Sequence, residues 1–234
     1  MDCYAIIVAG GSGKRMNADL PKQFHLLLGK PVLMHTIEAF VNSALRPEII
    51  LVLNADFHTY WKEICVQHNF FIPHKLIGGG TERFDSVKNA LEYIGPGESL
   101  IAVHDAVRPV INDELITRCF REAEIEGSVI PVTESRDSLR IICRSGTEAL
   151  SRANILIVQT PQVFRSNILK EAYNQAFSPL FTDDASVVEK AGFKIFTTAG
   201  APSNIKITYP EDLAIASLYL AHEHKKRPAD ESRS

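Results

Sequence analysis

The chain has 234 residues, of which 45% are hydrophobic, and its 25 Lys and Arg against 28 Asp and Glu give a formal net charge of −3. A chain of this length fits one large α/β domain over residues 1–234, and its weakly acidic balance offers no global basic field for a nucleic-acid partner. Because it has no apolar run of about eighteen residues and no basic segment before its first apolar run, we expect no membrane partner and a cytoplasmic location.

Short apolar runs rich in β-branched residues alternate with segments of helical periodicity from residue 3 onward. The strand-like runs are CYAIIV (3–8), EIILVL (48–53), KLI (75–77), LIAVH (100–104) and SVIPV (128–132). The helical segments are 31–43, 83–94 and 112–124. Near-continuous apolar strands between amphipathic helices are typical of a parallel sheet that is covered on both faces. The sequence therefore predicts a single doubly wound, mostly parallel, Rossmann-like α/β sheet.

The first strand-like run ends in a glycine loop, AGGSGKRM, over residues 9–16. A Walker A loop is excluded because Arg15, and not Ser or Thr, follows the pair Gly13 and Lys14. The dinucleotide fingerprint G-x-G-x-x-G fails because Met16 stands where the third glycine belongs. Two interpretations remain. The loop amides could bend around a phosphate chain while Arg15 grips its oxygens, or the loop could be a plain glycine-rich turn.

A third cation, Lys22, lies shortly after this loop in the segment PKQF. A lone surface lysine usually has no specific role, but Lys14, Arg15 and Lys22 together flank a glycine loop at the carboxyl end of a first strand. Open α/β sheets bind their ligands at that edge. A triphosphate is the polyanion that this pattern fits best.

The segment GGGTERFDSV (78–87) places backbone amides and carbonyls directly before a helical segment. The helical periodicity comes from Phe84, Val87, Leu91 and Ile94, which lie on one face. Ser86 falls in the first turn of this helix. Its hydroxyl could help to recognise a nucleobase, or it could serve as an ordinary capping group.

The segment HDAVRP places a carboxylate and a guanidinium directly after a strand-like run. A carboxylate at a strand end suits ribose hydroxyls or the shell of a magnesium ion, because both prefer hard oxygen ligands. The alternative is a local salt bridge between Asp105 and Arg108 that shapes a turn. We expect His104 to be structural and not a general base.

The pattern changes at about residue 134, where apolar and charged residues alternate around a Ser-Gly turn. This change predicts a protruding β-hairpin arm over about 134–154. Because a ribbon of two strands is marginally stable alone, we expect the arm to pack on a second copy of the chain. Farther on, IKITYPEDL predicts a strand and then a helix with Pro210 near its start, and the polar tail should fray from about 225.

Six motifs, taken in order, resemble one enzyme family. The pattern G-x-G-x-R-M followed by PKQ is similar to the signature loop of sugar-nucleotide pyrophosphorylases and cytidylyltransferases. GGGTERFDSV, HDAVRP, QTPQVF, TDDASVVE and NIKITYPEDL then follow as in the 2-C-methyl-D-erythritol 4-phosphate cytidylyltransferase family, and the resemblance covers about residues 4–220. It implies a single nucleotidyltransferase domain that transfers CMP from CTP to 2-C-methyl-D-erythritol 4-phosphate. The implied products are pyrophosphate and 4-diphosphocytidyl-2-C-methyl-D-erythritol, an isoprenoid precursor.

The resemblance also implies which residues form the site. The implied catalytic residues are Arg15, Lys22 and Lys206. The implied CTP-binding residues are Ala9, Gly10, Gly11, Gly13, Lys14, Gly80, Thr81, Ser86 and Asp105. The implied acceptor-binding residues are Arg108, Ser138, Arg152, Thr160 and Thr182, and the arm would cross to the partner subunit of a homodimer. The chain departs from the family's pattern at Thr81, where an acidic residue is usual, and at Ser138, where threonine is usual.

The reaction so implied is attack by a phosphate oxygen of the acceptor on the α-phosphorus of CTP. Because a phosphate monoester has a second pKa of about 6, the nucleophile is largely ionised at pH 7 and needs no general base. We expect Mg²⁺ or another divalent cation, held mainly by the CTP phosphates with help from Asp105, to stabilise charge together with the catalytic cations. Two other functions stay open at this point: a ribitol-5-phosphate cytidylyltransferase, and a non-catalytic nucleotide-binding module on the same fold.

Overall fold

The computed structural model describes residues 1–9 and 20–226. Its strands are β1 (Asp2–Ala9), β2 (Leu26–Leu27), β3 (Lys30–Pro31), β4 (Glu48–Leu53), β5 (Lys75–Gly78), β6 (Ser99–Asp105), β7 (Ser128–Glu134), β8 (Leu139–Cys143), β9 (Gly146–Leu150), β10 (Leu156–Val158), β11 (Gln162–Arg165) and β12 (Phe196–Ala199). Its α-helices are α1 (Val32–Val41), α2 (His58–Gln67), α3 (Arg83–Leu91), α4 (Asp113–Glu126), α5 (Ser166–Ala172), α6 (Asp184–Lys190) and α7 (Pro210–Lys226). Short 3₁₀ turns cover Lys22–Phe24, Ala55–Phe57 and Arg152–Asn154.

The central sheet has the strand order β10-β7-β11-β6-β1-β4-β5, and β12 pairs with β7. Strands β1, β4, β5 and β6 run parallel to one another, as β12 does to β7. Strand β11 lies between β6 and β7 and is antiparallel to both, and β10 is antiparallel to β7. The predicted mostly parallel α/β sheet is therefore confirmed, with two antiparallel strands that the sequence patterns did not predict.

Helices cover both faces of this sheet, because its central strands carry apolar side chains on both faces. Along β1, Ala5 and Ile7 pack in one layer with α1, α2 and α4. Ile6 packs in the opposite layer with α3, α5 and α6. The apolar face predicted for α3 is buried in this second layer. The two layers hold the parallel strands rigidly, so the loops at their carboxyl ends leave from fixed positions.

The carboxyl ends of β1 and β6 lie side by side. Val8 is in register with Asp105, and the Ala106 N–H donates to the Val8 carbonyl at 3.1 Å. Strand β1 pairs with one edge of β6 and β11 pairs with the other. No further strand can therefore join β6, and any segment near its end must pack beyond the sheet.

The strand predicted at 205–208 is wrong, since this segment forms no ladder in the part of the chain that the structure describes. It lies over the loop that follows β6, where the Ile207 N–H donates to the Val107 carbonyl at 2.9 Å. The physical reason is that both edges of β6 are already occupied. The predicted helix does begin at Pro210, and Asp212 Oδ2 accepts hydrogen bonds from the Thr208 and Tyr209 N–H groups before it.

Strands β8 and β9 form an antiparallel hairpin within the predicted range 134–154. Leu139 lies opposite Leu150, and Cys143 lies opposite Gly146. The hairpin is a two-stranded sheet separate from the central one. Ile142 on β8 is 86% exposed. The arm is therefore a ribbon with apolar side chains that its own chain leaves uncovered.

Helix α7 reaches Lys226, and residues 227–234, most of the tail predicted to fray, lie outside the described residues. The fraying stays a prediction. Over residues 1–9 and 20–226, no helix has the length and apolar character needed to cross a membrane.

Candidate active site

Asp105, the last residue of β6, is the centre of a cluster of charged side chains. Its Oδ2 atom lies 3.0 Å from Lys206 Nζ and 3.2 Å from Arg108 Nε. The Arg108 pair is the local salt bridge that the sequence left as an alternative. The pair with Lys206 adds a cation from the segment that packs over the same loop. The structure thus brings together three of the residues assigned to the site by resemblance.

The carboxyl group of Asp105 stays ionised at neutral pH. Burial alone would raise its pKa, but Lys206, Arg83 and Arg108 outweigh burial and hold the pKa well below its usual range. Such an anion can orient the Lys206 ammonium toward a substrate phosphate. Because the side chain of Lys206 is 41% exposed, that ammonium also remains accessible from outside.

His104 is buried and structural, as predicted. Its Nδ1 lies 3.0 Å from Thr160 Oγ1 and its Nε2 lies 3.2 Å from the Arg108 carbonyl. Burial is the main reason that its pKa falls to about 3. The imidazole is therefore neutral at pH 7, fully enclosed and unsuited to serve as a general base.

Lys22 reaches the same place from the other end of the chain. Its Nζ donates to the Ile207 carbonyl at 2.9 Å, next to Lys206. The neighbouring Gln23 is buried and donates from Nε2 to the carbonyl of Ala9, the last residue of β1, at 2.9 Å. Gln23 therefore ties the segment that begins at residue 20 to the carboxyl end of β1. The contact with Ile207 brings Lys22 to the residue next to Lys206, although the two lysines lie near opposite ends of the chain.

The segment predicted to recognise the base forms a tight turn before α3. Ser86 Oγ accepts from the Gly80 N–H at 3.1 Å and donates to the Glu82 carbonyl at 3.1 Å. A Cβ added at Gly80 would lie 2.2 Å from the Cβ of Asp85, so only glycine fits this approach. Thr81 is exposed at the tip. The Ser86 hydroxyl holds the turn in shape, and the recognition of a base by these residues stays a prediction.

An ion pair between the partly exposed Arg83 and the buried Asp184, which sequence reasoning missed, lies beside this turn. Arg83 Nη2 contacts Asp184 Oδ2 at 2.6 Å, and the Tyr173 hydroxyl donates to Asp184 Oδ1 at 2.7 Å. Burial would lower the pKa of Arg83, but Asp184 outweighs it and raises the pKa, so the guanidinium stays charged. The motif TDDASVVE places Asp184 directly after the helix cap at Asp183, but an acid in the first turn of a helix is common and does not by itself indicate a partner.

The predicted acceptor-binding residues lie in three places. Arg108 and Thr160 are at the Asp105 cluster, and Thr182 lies just before α6, on the wall of a cleft of about 320 Å³ that Arg83 also lines. Ser138 and Arg152 are exposed at the base of the arm. Arg152 Nη1 donates to the Arg136 carbonyl at 3.0 Å. Within the residues that the structure describes, no hydrogen bond or ion pair joins Ser138 or Arg152 to the Asp105 cluster.

Of the predicted site residues in the glycine loop, Ala9 alone lies within the described residues. Ala9 ends β1 and is buried. The other members of the glycine loop with a predicted role lie outside the described residues, and they are Gly10, Gly11, Gly13, Lys14 and Arg15. Their roles toward CTP stay predictions.

Comparisons with known proteins agree on one family. The model of the family described as 2-C-methyl-D-erythritol 4-phosphate cytidylyltransferase matches residues 3–222. Two proteins of that name are similar to the chain. The one from Bacteroides fragilis is 48% identical over 216 residues, 92% of this chain and 98% of the relative. The one from Bacteroides thetaiotaomicron is 50% identical over the same shares of both chains.

Solved structures give the same result at lower identity. The 4-diphosphocytidyl-2C-methyl-D-erythritol synthase of Anaerococcus prevotii superposes with a TM-score of 0.79 at 29% identity, covering 94% of this chain and 96% of its own. The 2-C-methyl-D-erythritol 4-phosphate cytidylyltransferase of Francisella tularensis superposes with a TM-score of 0.78 at 28% identity, covering 94% of this chain and 100% of its own. The likeness therefore extends over nearly the whole of each chain.

Proposed function

The chain belongs to the 2-C-methyl-D-erythritol 4-phosphate cytidylyltransferase family, and on that premise we propose that the cluster around Asp105 is the centre of its reaction. The protein is a nucleotidyltransferase that transfers CMP from CTP to 2-C-methyl-D-erythritol 4-phosphate. It releases pyrophosphate and forms 4-diphosphocytidyl-2-C-methyl-D-erythritol for isoprenoid biosynthesis. The observation that carries the site assignment is the ion pair between Lys206 and the buried carboxylate of Asp105, together with the contact of Lys22 with the carbonyl of Ile207, the residue next to Lys206.

The reaction needs charge stabilisation more than proton transfer. A phosphate oxygen of the acceptor attacks the α-phosphorus of CTP, and the bond from that phosphorus to the bridging oxygen breaks as pyrophosphate leaves. The attacking phosphate has a second pKa of about 6, so it arrives largely ionised. The neutral, enclosed imidazole of His104 agrees with a mechanism that uses no general base.

Cations at the end of β6 supply the stabilisation in this proposal. Lys206 and Lys22 would contact the phosphate oxygens that gain negative charge, with Arg15 from the glycine loop as a third cation. Asp105 would act as an orienting anion for Lys206, since it holds the Nζ atom at 3.0 Å. Arg108 would be available to the acceptor phosphate only in part, because Asp105 and the Asn204 carbonyl already bind its guanidinium.

A divalent cation is part of the proposal as a companion of CTP. Over residues 1–9 and 20–226, no cluster of three or more His, Cys, Asp or Glu side chains could hold a metal ion. The single buried carboxylate of Asp105 fits an ion whose other ligands come from the triphosphate. Mg²⁺ bound in this way would neutralise phosphate charge during transfer. Asp105 is the residue that we propose to assist in holding it.

A homodimer would complete the acceptor site. The arm exposes Ile141 and Ile142, and the adjacent strand β10 exposes Leu156, Ile157 and Val158. Apolar side chains on a two-stranded ribbon favour packing against another surface. We propose that a second copy provides that surface and that Arg152 and Ser138 then contact the acceptor in the partner's site.

The four free cysteines fit the cytoplasm as the location.

Pyrophosphate release is the direct test of the activity. The purified protein is incubated with Mg²⁺ and CTP, and 2-C-methyl-D-erythritol 4-phosphate and ribitol 5-phosphate are supplied in parallel. We expect release with the first acceptor and background release with the second. Release with ribitol 5-phosphate alone would contradict the proposed function, and CTP binding without release would indicate a non-catalytic nucleotide-binding module.

A further inference from the structure

We propose that Asn204 is a positioning residue for CMP transfer, which sets Lys206 and Arg108 against Asp105 through a closed ring of hydrogen bonds. The inference deepens the proposed function and rests on the role given there to Lys206. Asn204 begins the motif NIKITYPEDL, in which the resemblance gave a role to Lys206 and none to Asn204. Its side chain carries no charge and reaches the site through other residues.

Four hydrogen bonds close the ring. The Asp105 N–H donates to Thr160 Oγ1 at 3.1 Å, and Asn204 Nδ2 donates to the Thr160 carbonyl at 2.8 Å. Arg108 Nη1 donates to the Asn204 carbonyl at 2.8 Å, and Arg108 Nε returns to Asp105 Oδ2 at 3.2 Å. Asn204 is fully buried. Two hydrogen bonds of this single residue therefore tie the strand end, the arginine and the segment before Lys206 into one unit.

Gln159 anchors the same segment from the opposite side. Its Nε2 donates to the Ala201 carbonyl at 2.9 Å, and its Oε1 accepts from the Ala201 N–H at 3.1 Å. A Cβ at Gly200 would lie 2.6 Å from Gln159 Oε1, so the backbone approaches this side chain as closely as glycine allows. The Asn204 N–H then closes a turn onto the Ala201 carbonyl at 3.0 Å. The Gln159 amide thus makes the two backbone hydrogen bonds that a neighbouring strand would otherwise make with this segment.

Lys206 lies between two fixed points of this segment. Asn204 is held on one side, and on the other Ile207 is fully buried and bonded to Val107. The ammonium of Lys206 must reach both Asp105 and the substrate phosphates from a backbone that these two residues fix. A displacement of about 1 Å at a reacting centre can cost on the order of 10²-fold in rate. Loss of the Asn204 amide should therefore change kcat more than it changes substrate binding.

A purely structural role would be the competing explanation. Asn204 Oδ1 is buried and has no hydrogen-bond partner among the described residues. A buried acceptor without a partner costs stability, so an asparagine is a poor choice if stability were its only purpose. Its side-chain donor, Nδ2, binds the Thr160 carbonyl and so closes the ring around Asp105, whereas the carbonyl that Arg108 binds belongs to the backbone and would remain in Asn204→Ala. This balance favours a role in positioning.

The test compares Asn204→Ala with a matched control, Ser166→Ala. Ser166 is also buried and also makes two hydrogen bonds, from the Ser99 N–H and to the Gly97 carbonyl, at the far end of β11. We expect Asn204→Ala to lower kcat by roughly 10- to 100-fold while the KM values for CTP and acceptor change by less than about threefold. Ser166→Ala should lose a similar amount of thermal stability and keep its kcat. Equal kcat losses in both variants, or an unchanged kcat in folded Asn204→Ala, would overturn the inference.

A double-mutant cycle separates action through Lys206 from a general disturbance. If Asn204 acts by placing Lys206, Asn204→Ala should lower kcat far less in a Lys206→Ala background than in the wild type. Multiplicative losses would contradict the positioning role. If Asn204→Ala does not fold, Gln159→Met, which keeps the side-chain volume, is assayed alone and with Lys206→Ala against the same criteria. Full activity of Lys206→Ala by itself would refute the proposed site and not only this inference.

Discussion

The carboxyl end of β6 and the β8–β9 arm hold their charged side chains in opposite ways. Asp105 is buried, and its carboxylate binds Lys206 and Arg108 directly. Arg152, at the base of the arm, is exposed and contacts the carbonyl of Arg136. One chain therefore fixes the groups that we propose to act on the reacting phosphates. The two predicted acceptor-binding residues on the arm, Ser138 and Arg152, lack the packing that would fix them, which is why we propose that a second copy supplies that packing.

The largest effect is expected from the removal of either lysine that we propose to stabilise charge on the phosphates. Lys206→Ala and Lys22→Ala should each lower kcat by at least ~10²-fold, by analogy with the loss of one group that stabilises transition-state charge. Steady-state pyrophosphate release measures both. Lys62→Ala, at an exposed position on α2, is the control and should keep its kcat. A kcat near that of the wild type in either variant would remove that lysine from the catalytic set.

A smaller effect is expected on the arm. Arg152→Ala should lower kcat/KM for the acceptor by roughly 10-fold or more, because a guanidinium that binds phosphate contributes charge and a forked geometry. The KM for CTP should stay within about twofold. Titration of each substrate at saturation of the other measures the two effects. An equal loss of kcat/KM for CTP would show that the arm also affects CTP binding. It would contradict the proposed division of roles between the arm and the end of β6.

The dependence of folding stability on pH tests the enclosed state of His104, which lies in β6 next to Asp105. The pKa of His104 is about 3 in the folded chain, against about 6.5 unfolded. Its neutral form is the one that the fold stabilises, so stability is complete above about pH 6.5 and is lost as pH falls toward 3. The largest slope expected from one such group is about 1.4 kcal/mol per pH unit.

Denaturant unfolding at several pH values between 5 and 7 measures this slope, in the wild type and in His104→Gln. We expect the variant to be less stable at pH 7 and to have a shallower slope, because glutamine does not titrate. The depressed pKa of Asp105 affects stability only below about pH 5, where the carboxyl in the unfolded chain begins to take up protons. Parallel slopes in the two proteins would contradict the enclosed, neutral state of His104.

The smallest expected effect comes from the exposed apolar side chain of Ile142 on strand β8 of the arm. Ile142→Ser should weaken the proposed dimer by about 1–2 kcal/mol, since Ile142 would lose apolar burial in the interface. It should leave the midpoint of thermal unfolding of the separated chain unchanged, because the side chain is 86% exposed there. Sedimentation equilibrium over a range of concentrations measures the dimer constant. A fully monomeric wild-type protein would refute the dimer proposal.

The parallel half of the sheet could be predicted because β1, β4 and β6 are continuous apolar runs separated by amphipathic helices. Strands β11 and β12 could not, because each has only four residues with polar side chains among the apolar ones, too short for a periodic signal. The alternation at 205–208 predicted a strand wrongly for another reason. A pattern of side chains does not show whether a sheet edge is free to receive it.

The site residues also differ in how well the local sequence predicts their positions. The strand-end position of Asp105 and its pairing with Arg108 follow from local sequence. The approach of Lys22 to the segment of Lys206 depends on how parts of the chain that are far apart in sequence pack together. Only the family resemblance indicated it. Asn204 was missed because a neutral amide leaves no charge pattern, and its partners are known only once the chain has folded.

Mixed dimers provide the most direct test of a site shared between two chains. Arg152→Ala and Lys206→Ala chains carrying different affinity tags are coexpressed, and the heterodimer is isolated by sequential purification on both tags. In it, one site would combine an intact Lys206 with an intact Arg152 from the other chain. We expect about half of the wild-type kcat/KM for the acceptor per dimer, well above that of either parent. A heterodimer of Lys206→Ala with Lys22→Ala is the control and should stay inactive, because both residues belong to the same part of the site. Activity of the first heterodimer no greater than that of its parents would contradict a shared site.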